Sequence, residues 1–490
     1  MTRVGLVTYS TKPRGGVVHL LALAEALARR SFPIEVIALG DPDAGFFRPV
    51  DVPCSFVPPP EQASTLEERV HDAIDALTAR LEERAASLPP LLHVQDCIAA
   101  RAATRARDGG APVRVVRTVH HVDDFTTPAL VECQRRSIVD PDRVLVVSRT
   151  WQQRLAKDYG VRADVVTNGV DVGRFAVEPS PAFVDHLRAR AGAKDRFMIL
   201  TVGGIEPRKG TDHLFRALSR LRRRWVDPPV LAIVGGHSFQ DHSSYRERVI
   251  ASMADLDLEF GRDVTVLGTV PDAEMAAWYH AADAFAFPSI NEGFGLAVLE
   301  AMAAGLPVVL TDLPVFAEFV RFGTDALAVR PGDDAGLADR LQSLARHEDV
   351  RATLQRRGRE VAARFDWDAT ARQHIAIYDE LEASRQRGRS GTRPRPEEVG
   401  DHGRAVLGLV EEQQVPGSTD QLEPVRRDPG GEDARVARGY VGVAVAGEDD
   451  GGRGDPAQPG PGAPAGAGDE VARVAPQGGR SGTAGGGLLP

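Results

Sequence analysis

Short apolar runs alternate with longer amphipathic stretches in the first part of the chain. Five runs have the composition of buried strands: RVGLVTY (3–9), IEVIAL (34–39), LLHV (91–94), VRVVRTV (113–119) and RVLVVS (143–148). The connections between them are long enough for helical crossovers, such as the amphipathic HLLALAEALARR (19–30). Strands joined in this way are parallel, and helices cover both faces of their sheet. The pattern therefore predicts a first α/β domain.

The pattern stops near NGVDVGRF (168–175) and then restarts. A second series of predicted strands follows: FMILTVGG (197–204), VLAIVGG (230–236), VTVLG (264–268), AFAFPS (284–289) and PVVLTD (307–312). Amphipathic helices are predicted between them, including 211–225 and 273–283. A second α/β domain of similar size is the natural interpretation.

The predicted order ends with one more amphipathic helix and a tail of different composition. FDWDATARQHIAIYDELEASR places six residues near one helical face: Trp367, Ala371, His374, Ile375, Tyr378 and Leu381. Beyond it, residues 391–490 contain no Phe, Ile or Trp but 23 of the 49 Gly. Such a segment cannot bury enough apolar area to offset its ordering entropy, so we expect disorder.

These patterns divide the chain into four predicted segments. An N-terminal domain covers 1–175 and a C-terminal domain covers 176–364. A helix over 365–386 braces the first domain, and a Gly/Pro-rich acidic tail covers 387–490. The tail is interpreted as a natural disordered arm or a frame-shifted extension, and truncation after residue 386 should leave folding and activity intact.

Charge and cysteine content narrow the function classes. The 490 residues carry a formal net charge of −10, of which −6 belongs to the tail and −4 to residues 1–390. A nucleic-acid-binding surface is therefore not expected, because such domains are usually basic. Three scattered cysteines fit neither a disulfide framework nor a zinc site. The start lacks a secretory apolar region and no long apolar run exists, so we expect a cytoplasmic protein with at most peripheral membrane contact.

The densest candidate for chemistry is NEGFGLAVLEAMAAGLPVV (291–309). It places Glu292, Gly293 and Gly295 after a strand and at the start of a helix, where ligands of open α/β sheets bind. Free amide groups and the helix dipole at such a position attract phosphate. Glu292 and Glu300 can accept hydrogen bonds from sugar hydroxyls. The residues alone leave open a second interpretation, two solvated glutamates beside an ordinary Gly-rich turn.

This segment resembles the signature of retaining glycosyltransferases of the GT-B fold, family 4. Further segments agree with that family in order: GGVVH (15–19), TVHH (118–121), VSRTW (147–151), TNGVDVGRF (167–175), VGGIEPRKG (202–210), VGG (234–236) and FDW (365–367). The resemblance covers residues 1–383. It implies two Rossmann-like doubly wound domains facing a cleft. The C-terminal domain would hold a nucleotide-diphosphate sugar and the N-terminal domain an acceptor.

The resemblance also implies roles on the C-terminal side. Glu300 would bind the ribose hydroxyls and Glu292 the donor sugar. Backbone around Phe294, Gly295 and Leu296 would surround that sugar. The nucleobase would lie near Val270.

By the same resemblance, EPRKG (206–210) would supply positive charge for the leaving diphosphate; the residues alone leave open a pair of solvated loop cations. Lys209 and Arg208 follow a strand, and Lys209 is one of only four lysines beside 55 arginines. Fixed cations there would stabilise the charge that develops on the leaving group. The chain departs from the family at Gly204, where members usually carry Arg. Either Arg208 covers that role or phosphate binding is weaker.

On the N-terminal side, the resemblance brings Gly15 and Gly16 close to the donor phosphate and makes His120 the active-site histidine. The adjacent His121 remains a rival from sequence alone. Asp123 and Asp124 orient the acceptor or face solvent.

The sequence thus predicts a metal-independent retaining glycosyltransferase without cofactor. Its partners would be a nucleotide sugar and an unidentified acceptor: a small molecule, a glycan or a lipid headgroup. The expected mechanism is front-face displacement, with Glu292, His120, Lys209 and Arg208 as positioning and electrostatic groups. The alternatives are a catalytically weak GT-B-fold binding protein, or a GT-B phosphorylase or sugar-nucleotide epimerase.

Overall fold

A computed structural model describes residues 2–60, 65–236 and 242–390; of residues 386–390 only the backbone is described. These residues belong to one compact unit. The predicted tail lies, from residue 391 onward, outside the described residues.

Within these ranges, thirteen strands form two parallel sheets. The N-terminal sheet contains β1 (Val4–Thr8), β2 (Ile34–Leu39), β3 (Cys54–Val57), β4 (Leu91–Val94), β5 (Arg114–Val119), β6 (Arg143–Val146) and β7 (Asp164–Val165). The C-terminal sheet contains β8 (Met198–Val202), β9 (Val230–Val234), β10 (Val264–Gly268), β11 (Ala284–Phe287), β12 (Val308–Thr311) and β13 (Leu327–Val329).

The two sheets share one topology. The N-terminal order is β3-β2-β1-β4-β5-β6-β7 and the C-terminal order is β10-β9-β8-β11-β12-β13. In each, the first strand of the domain lies beside the fourth, and the order reverses there. The prediction of two Rossmann-like doubly wound domains is confirmed. Ligands of such sheets bind beyond the carboxyl ends of the strands at this reversal, the topological switch point.

Helices cover both faces of the sheets. The N-terminal part contains α1 (Gly15–Arg29), α2 (Leu66–Glu83), α3 (Cys97–Asp108), α4 (Pro128–Val139) and α5 (Arg149–Tyr159). The passage between the sheets contains α6 (Val172–Phe175) and α7 (Pro181–Arg190). The C-terminal part contains α8 (Thr211–Arg222), α9 (Ser243–Asp255), α10 (Met275–Ala281), α11 (Leu296–Ala303), α12 (Pro314–Ala317), α13 (Asp334–Arg346) and α14 (Glu348–Ala362), with 3₁₀ turns at Pro207–Lys209 and Asp272–Glu274.

The last helix, α15 (Trp367–Ser390), returns to the N-terminal domain and packs against α1. Trp367, Ala371, Tyr378 and Leu381 are buried in the same apolar cluster as the inward face of α1. Two hydrogen bonds fix the helix: the Thr370 hydroxyl donates to the carbonyl of Thr167 (3.0 Å), and Tyr378 bonds to His93 (2.6 Å). The apolar face predicted from the sequence is therefore the face that packs.

The burial of the central strands explains why they could be recognised as apolar runs in the sequence. Every residue of β1, β4, β9, β11 and β12 is buried, as expected for strands covered on both faces. All three cysteines are free thiols. Among the helices of the described ranges, none combines the length and the apolar character needed to cross a membrane.

Candidate active site

In both domains, the predicted site residues lie in segments that follow strands at or next to the switch point. In the N-terminal domain, Gly15 and Gly16 come after β1, and His120 comes directly after β5. In the C-terminal domain, Arg208 and Lys209 come after β8, and Glu292 comes after β11. Because all strands of a parallel sheet end at the same edge, each domain presents its candidate residues along one edge.

The centre of the C-terminal group is an ionic cluster around Glu292. Its Oε1 accepts hydrogen bonds from Nζ of Lys209 at 2.5 Å and from Nη1 of Arg208 at 3.2 Å. Arg208 also pairs with Glu206 at 3.1 Å. The Lys209 ammonium lies 4.5 Å from the centroid of the Phe287 ring, which adds a cation–π contact. Two strand-following loops are thereby joined through side chains.

Burial and charge set the ionisation of this cluster. Burial alone raises the pKa of Glu292, but the cations of Lys209 and Arg208 outweigh it and bring the pKa to about 2. For Lys209, burial dominates over the attraction of Glu292 and lowers the pKa. For Arg208, the carboxylates of Glu292 and Glu206 outweigh burial and raise the pKa. Glu292 is therefore a fixed anion and a weak base.

The two domains touch at the glycine beside Glu292. A Cβ atom built on Gly293 would lie 1.9 Å from the carbonyl oxygen of His120, so only glycine permits this approach. The indole Nε1 of Trp151, on α5, donates a hydrogen bond to the carbonyl of Glu292 at 3.0 Å. Backbone and side-chain contacts from the N-terminal domain thus hold the loop that carries Glu292.

The loop ends at an uncapped helix. Gly295 has φ +101°, and a Cβ there would lie 2.7 Å from the Phe316 ring, so glycine is required. Helix α11 begins at Leu296, and no side chain caps its first turn. The first amides of a helix have no acceptor within the helix and attract anions. Phe294 is buried and stacks on Phe319, with ring centroids 5.2 Å apart.

Glu300 has surroundings different from those of Glu292. Its Oε2 accepts a hydrogen bond from the hydroxyl of Tyr279 at 2.8 Å. Burial raises the pKa of Glu300, and the bond from Tyr279 opposes that rise. Val270, predicted to border the nucleobase, is buried in the loop after β10. The two glutamates therefore have separate partners.

The structure gives a physical reason for Gly204. A Cβ at this position would lie 2.6 Å from the carbonyl oxygen of Gly236 and 3.0 Å from Oε1 of Glu206. A longer side chain would need the backbone at Gly236 to move. The tight backbone packing at position 204 is therefore consistent with glycine in place of the family's Arg. Arg208 supplies a guanidinium four positions later.

The N-terminal residues are placed differently. Gly15 and Gly16 form the first turn of α1, and a Cβ on Gly15 would meet no protein atom within 4 Å. Gly16 lies beside the ring of His120: its Cβ would be 3.6 Å from Cδ2. Sterics within the protein therefore do not require glycine at either position.

His120 is held by an amide that the sequence analysis did not single out. Its Nε2 lies 3.0 Å from Oε1 of Gln95, a residue 2% exposed that follows β4. Burial holds the pKa of His120 well below its usual range. The rival His121 pairs with Asp123 at 3.3 Å, its side chain is 42% exposed, and its charge is among those that lower the pKa of Glu292. His120 contacts the loop that carries Glu292 through its backbone carbonyl, and the choice between the two histidines stays a prediction.

Gln95, Trp151 and Tyr279 are the residues of this site that sequence reasoning missed. Trp151 belongs to a family segment given above, and its position in the first turn of the helix after β6 was the available signal. No signal in the sequence marked Gln95 or Tyr279 as site residues. Within residues 2–60, 65–236 and 242–390, no group of three or more His, Cys, Asp or Glu side chains is arranged to hold a metal ion.

Comparison with known proteins agrees with the fold. Residues 13–174 match the family described as glycosyltransferase family 4, and residues 184–361 match glycosyl transferases group 1. The chain is 29% identical to the phosphatidyl-myo-inositol mannosyltransferase of Mycobacterium leprae over 394 residues, which cover 78% of this chain and 98% of that protein. It is 31% identical to the D-inositol 3-phosphate glycosyltransferase of Saccharomonospora viridis over 317 residues, covering 60% and 70%.

Coverage of other relatives is lower. Two further D-inositol 3-phosphate glycosyltransferases, from Corynebacterium urealyticum and Salinispora arenicola, are spanned over 64% and 57% of their length. Among solved structures, Anabaena Alr3699/HepE in complex with UDP-glucose superposes with a TM-score of 0.63 at 20% identity, over 78% of this chain and all of that one. This likeness shows the fold, two facing Rossmann-like domains of the GT-B type.

The matches and the fold together settle the family. The chain belongs to the group 1/family 4 glycosyltransferases and is a transferase of GT-B fold.

Proposed function

We propose that this glycosyltransferase moves a hexosyl unit from a nucleoside-diphosphate sugar to an acceptor hydroxyl, with retention of anomeric configuration and without a metal. The observation that carries the proposal is the cluster of Lys209, Arg208 and Glu292 at the switch point of the C-terminal sheet. It offers two fixed cations beside the uncapped start of α11.

The cations suit a diphosphate leaving group. When the bond between the anomeric carbon and the phosphate oxygen breaks, its electron pair stays on the diphosphate. Lys209 and Arg208 would stabilise that growing charge more than the ground state, which lowers the barrier. These residues supply the positive charge that a metal ion provides elsewhere, and this supports metal independence.

The ionisation of Glu292 argues against a double displacement through this carboxylate. A carboxylate with a pKa of about 2, bound to two cations, is a poor nucleophile and a poor base. We infer that Glu292 orients the donor sugar. The acceptor oxygen then attacks the anomeric carbon from the face that the diphosphate leaves, and its proton passes to the departing phosphate oxygen.

His120 and Glu300 complete the proposed donor site. The neutral ring of His120, beside Gly16, would hydrogen-bond the donor sugar or the acceptor. Glu300, held by Tyr279, would accept hydrogen bonds from the ribose hydroxyls.

Relatives guide the choice of substrates. A neighbour of the same fold was solved with UDP-glucose, and two relatives are named for inositol phosphates or phosphatidyl-inositol. We therefore propose a polyol or polyol-phosphate acceptor, free or on a lipid headgroup.

The experiment combines UDP-, GDP- and ADP-sugars with myo-inositol, inositol 3-phosphate and phosphatidylinositol vesicles, with a chelator present. Nucleoside diphosphate release reports turnover, and proton NMR of the product reports anomeric configuration. Retention in the presence of chelator is expected. An inverted product, or activity only after a divalent metal is restored, would contradict the mechanism. Sugar epimerisation without acceptor would identify an epimerase instead.

A further inference from the structure

His120 is the end of a buried chain of hydrogen bonds that starts on the last helix. The hydroxyl of Tyr378 lies 2.6 Å from Nδ1 of His93, and Nε2 of His93 lies 3.2 Å from Nε2 of Gln95. Oε1 of Gln95 then bonds to Nε2 of His120 at 3.0 Å. The contacts join residues that are 285, 2 and 25 positions apart in the chain.

The first three members of the chain are buried and uncharged. Tyr378 and His93 are fully buried, and Gln95 is 2% exposed. Burial raises the pKa of Tyr378 and lowers the pKa of His93, so both remain uncharged at neutral pH. Unsatisfied polar groups are costly in such a place, so each member must present a donor to its neighbour's acceptor.

With the amide of Gln95 oriented as the structure has it, the position of each ring proton follows. The carbonyl of Gln95 accepts from His120, so His120 carries its proton on Nε2. The amide of Gln95 donates to Nε2 of His93, and the hydroxyl of Thr118, 2.7 Å away, donates to the same nitrogen. His93 therefore carries its proton on Nδ1 and donates it to Tyr378.

We propose that Tyr378 is a positioning residue, which acts through His93 and Gln95 to hold His120 with its proton on Nε2 and its Nδ1 as an acceptor. The inference rests on the role of His120 in the proposed function. It gives the last helix a part in the transfer reaction, although that helix carries no residue of the ionic cluster.

Helix α15 reaches His120 by a second, apolar route. Trp367 packs edge-on against His19, with ring centroids 5.2 Å apart, and His19 packs edge-on against His120 at 4.8 Å. His19 is itself fixed by Asn168 through a hydrogen bond of 2.8 Å. These contacts limit the tilt of the His120 ring. The hydrogen-bonded chain determines which ring nitrogen carries the proton.

The same matching of donors with acceptors predicts what happens when the Tyr378 hydroxyl is removed. Without it, the Nδ1 proton of His93 would lose its acceptor. The lower-energy arrangement then puts the proton of His93 on Nε2, where Thr118 and a reversed Gln95 amide accept it. The reversed amide would donate to Nε2 of His120 and move the proton of His120 to Nδ1.

The direct test is the tautomer of His120 in long-range proton–nitrogen NMR spectra of histidine-labelled protein. The wild type should show the proton on Nε2, and Tyr378→Phe should shift it toward Nδ1. A wild-type proton on Nδ1, or an unchanged tautomer in Tyr378→Phe, overturns the proposal. This readout needs no turnover, so it stands apart from any failure of the proposed function.

Kinetics provide the second test. Tyr378→Phe should lower kcat about tenfold, the scale of one lost hydrogen bond, with the donor KM unchanged. Gln95→Leu should lower kcat at least as much, and the double variant should be no worse than Gln95→Leu, because both act through one chain. Leu381→Ala, a control in the same apolar cluster, should lower Tm but not kcat. Additive losses, or a wild-type kcat in Tyr378→Phe, contradict the proposal.

Discussion

The C-terminal side of the site contains an ionic cluster, whereas the N-terminal side contains a chain of hydrogen bonds between uncharged groups. Glu292, Lys209 and Arg208 form ion pairs within 3.2 Å. His120, Gln95 and His93 are joined by hydrogen bonds between uncharged groups. Both sides are built at the switch point of a sheet with the same strand order. One topology thus supports two kinds of chemistry.

The difference matches the tasks proposed for the two sides. Charge is useful where charge changes, and in a glycosyl transfer it changes most on the departing diphosphate. Orientation is useful where the acceptor and sugar must align, and neutral buried hydrogen bonds fix orientation without competing for the diphosphate.

The largest effect is expected on the ionic side. Lys209→Ala should lower kcat by at least about 100-fold, the scale of losing one preorganised electrostatic group. Lys157→Ala, which removes an exposed lysine from α5, is the matched control and should keep wild-type turnover. Steady-state release of nucleoside diphosphate measures both. Equal rates for the two variants would place the diphosphate elsewhere.

A loss of about tenfold or more in kcat/KM is expected from a change at Gly293, where the two domains touch. Gly293→Ala adds a Cβ at 1.9 Å from the His120 carbonyl, which forces the Glu292 loop away from the N-terminal domain. The expected cost of such misplacement is on the order of 10–100-fold in kcat/KM. Gly173→Ala is a control, because its Cβ would meet only ordinary contacts. Unchanged kinetics in Gly293→Ala would show that the contact between domains is not needed for turnover.

The ionic side should also dominate the acid dependence of stability. The pKa of Glu292 falls from 4.5 to about 2 on folding. A carboxyl with a lowered folded pKa stabilises the fold above its unfolded pKa, and that stabilisation is lost as pH falls through the folded pKa. We expect a contribution of up to about 3 kcal/mol that disappears between about pH 5 and pH 2.

Urea unfolding across that pH range tests the assignment. Glu292→Gln should flatten the pH dependence of the unfolding free energy relative to wild type. Gln95→Leu, a change on the neutral side, should leave the slope unchanged. The same slope in Glu292→Gln and wild type would mean that the ion pair contributes nothing in this window.

The smallest effect on turnover is expected at Gly204, where the chain departs from the family. Gly204→Arg should not raise turnover, because its Cβ would lie 2.6 Å from the Gly236 carbonyl. We expect a lower Tm by thermal unfolding and no gain in kcat. A variant that is faster and equally stable would show that the loop adapts and that Gly204 weakens the native site.

The central strands could be predicted, whereas three of the four edge strands of the two described sheets could not. Strands such as Leu91–Val94 are buried on both faces and appear as continuous apolar runs. Strands β3 (Cys54–Val57) and β7 (Asp164–Val165) lie at the sheet edges and are partly exposed. Their composition does not separate them from loops, because an edge strand needs no apolar residues on both faces.

The candidate site could be proposed from the sequence where its residues lie in one continuous segment. Glu292, Gly295 and Glu300 belong to a single continuous stretch, and Lys209 was marked by a rare residue type in a loop after a strand. Trp151 contacts Glu292 from 141 positions away, and Tyr378 contacts His93 from 285 positions away. Such contacts depend on how the domains and the last helix pack, which no local pattern displays.

The central claim is that Lys209 and Arg208 bind the diphosphate of the donor. Calorimetric titration of UDP, GDP and ADP into the wild type and Lys209→Ala, with chelator present, tests it most directly. The wild type should bind at least one of these nucleotides, and Lys209→Ala should weaken that binding by at least about tenfold, the scale of a lost charge-assisted hydrogen bond. Equal affinity of the two proteins for the bound nucleotide would contradict the claim.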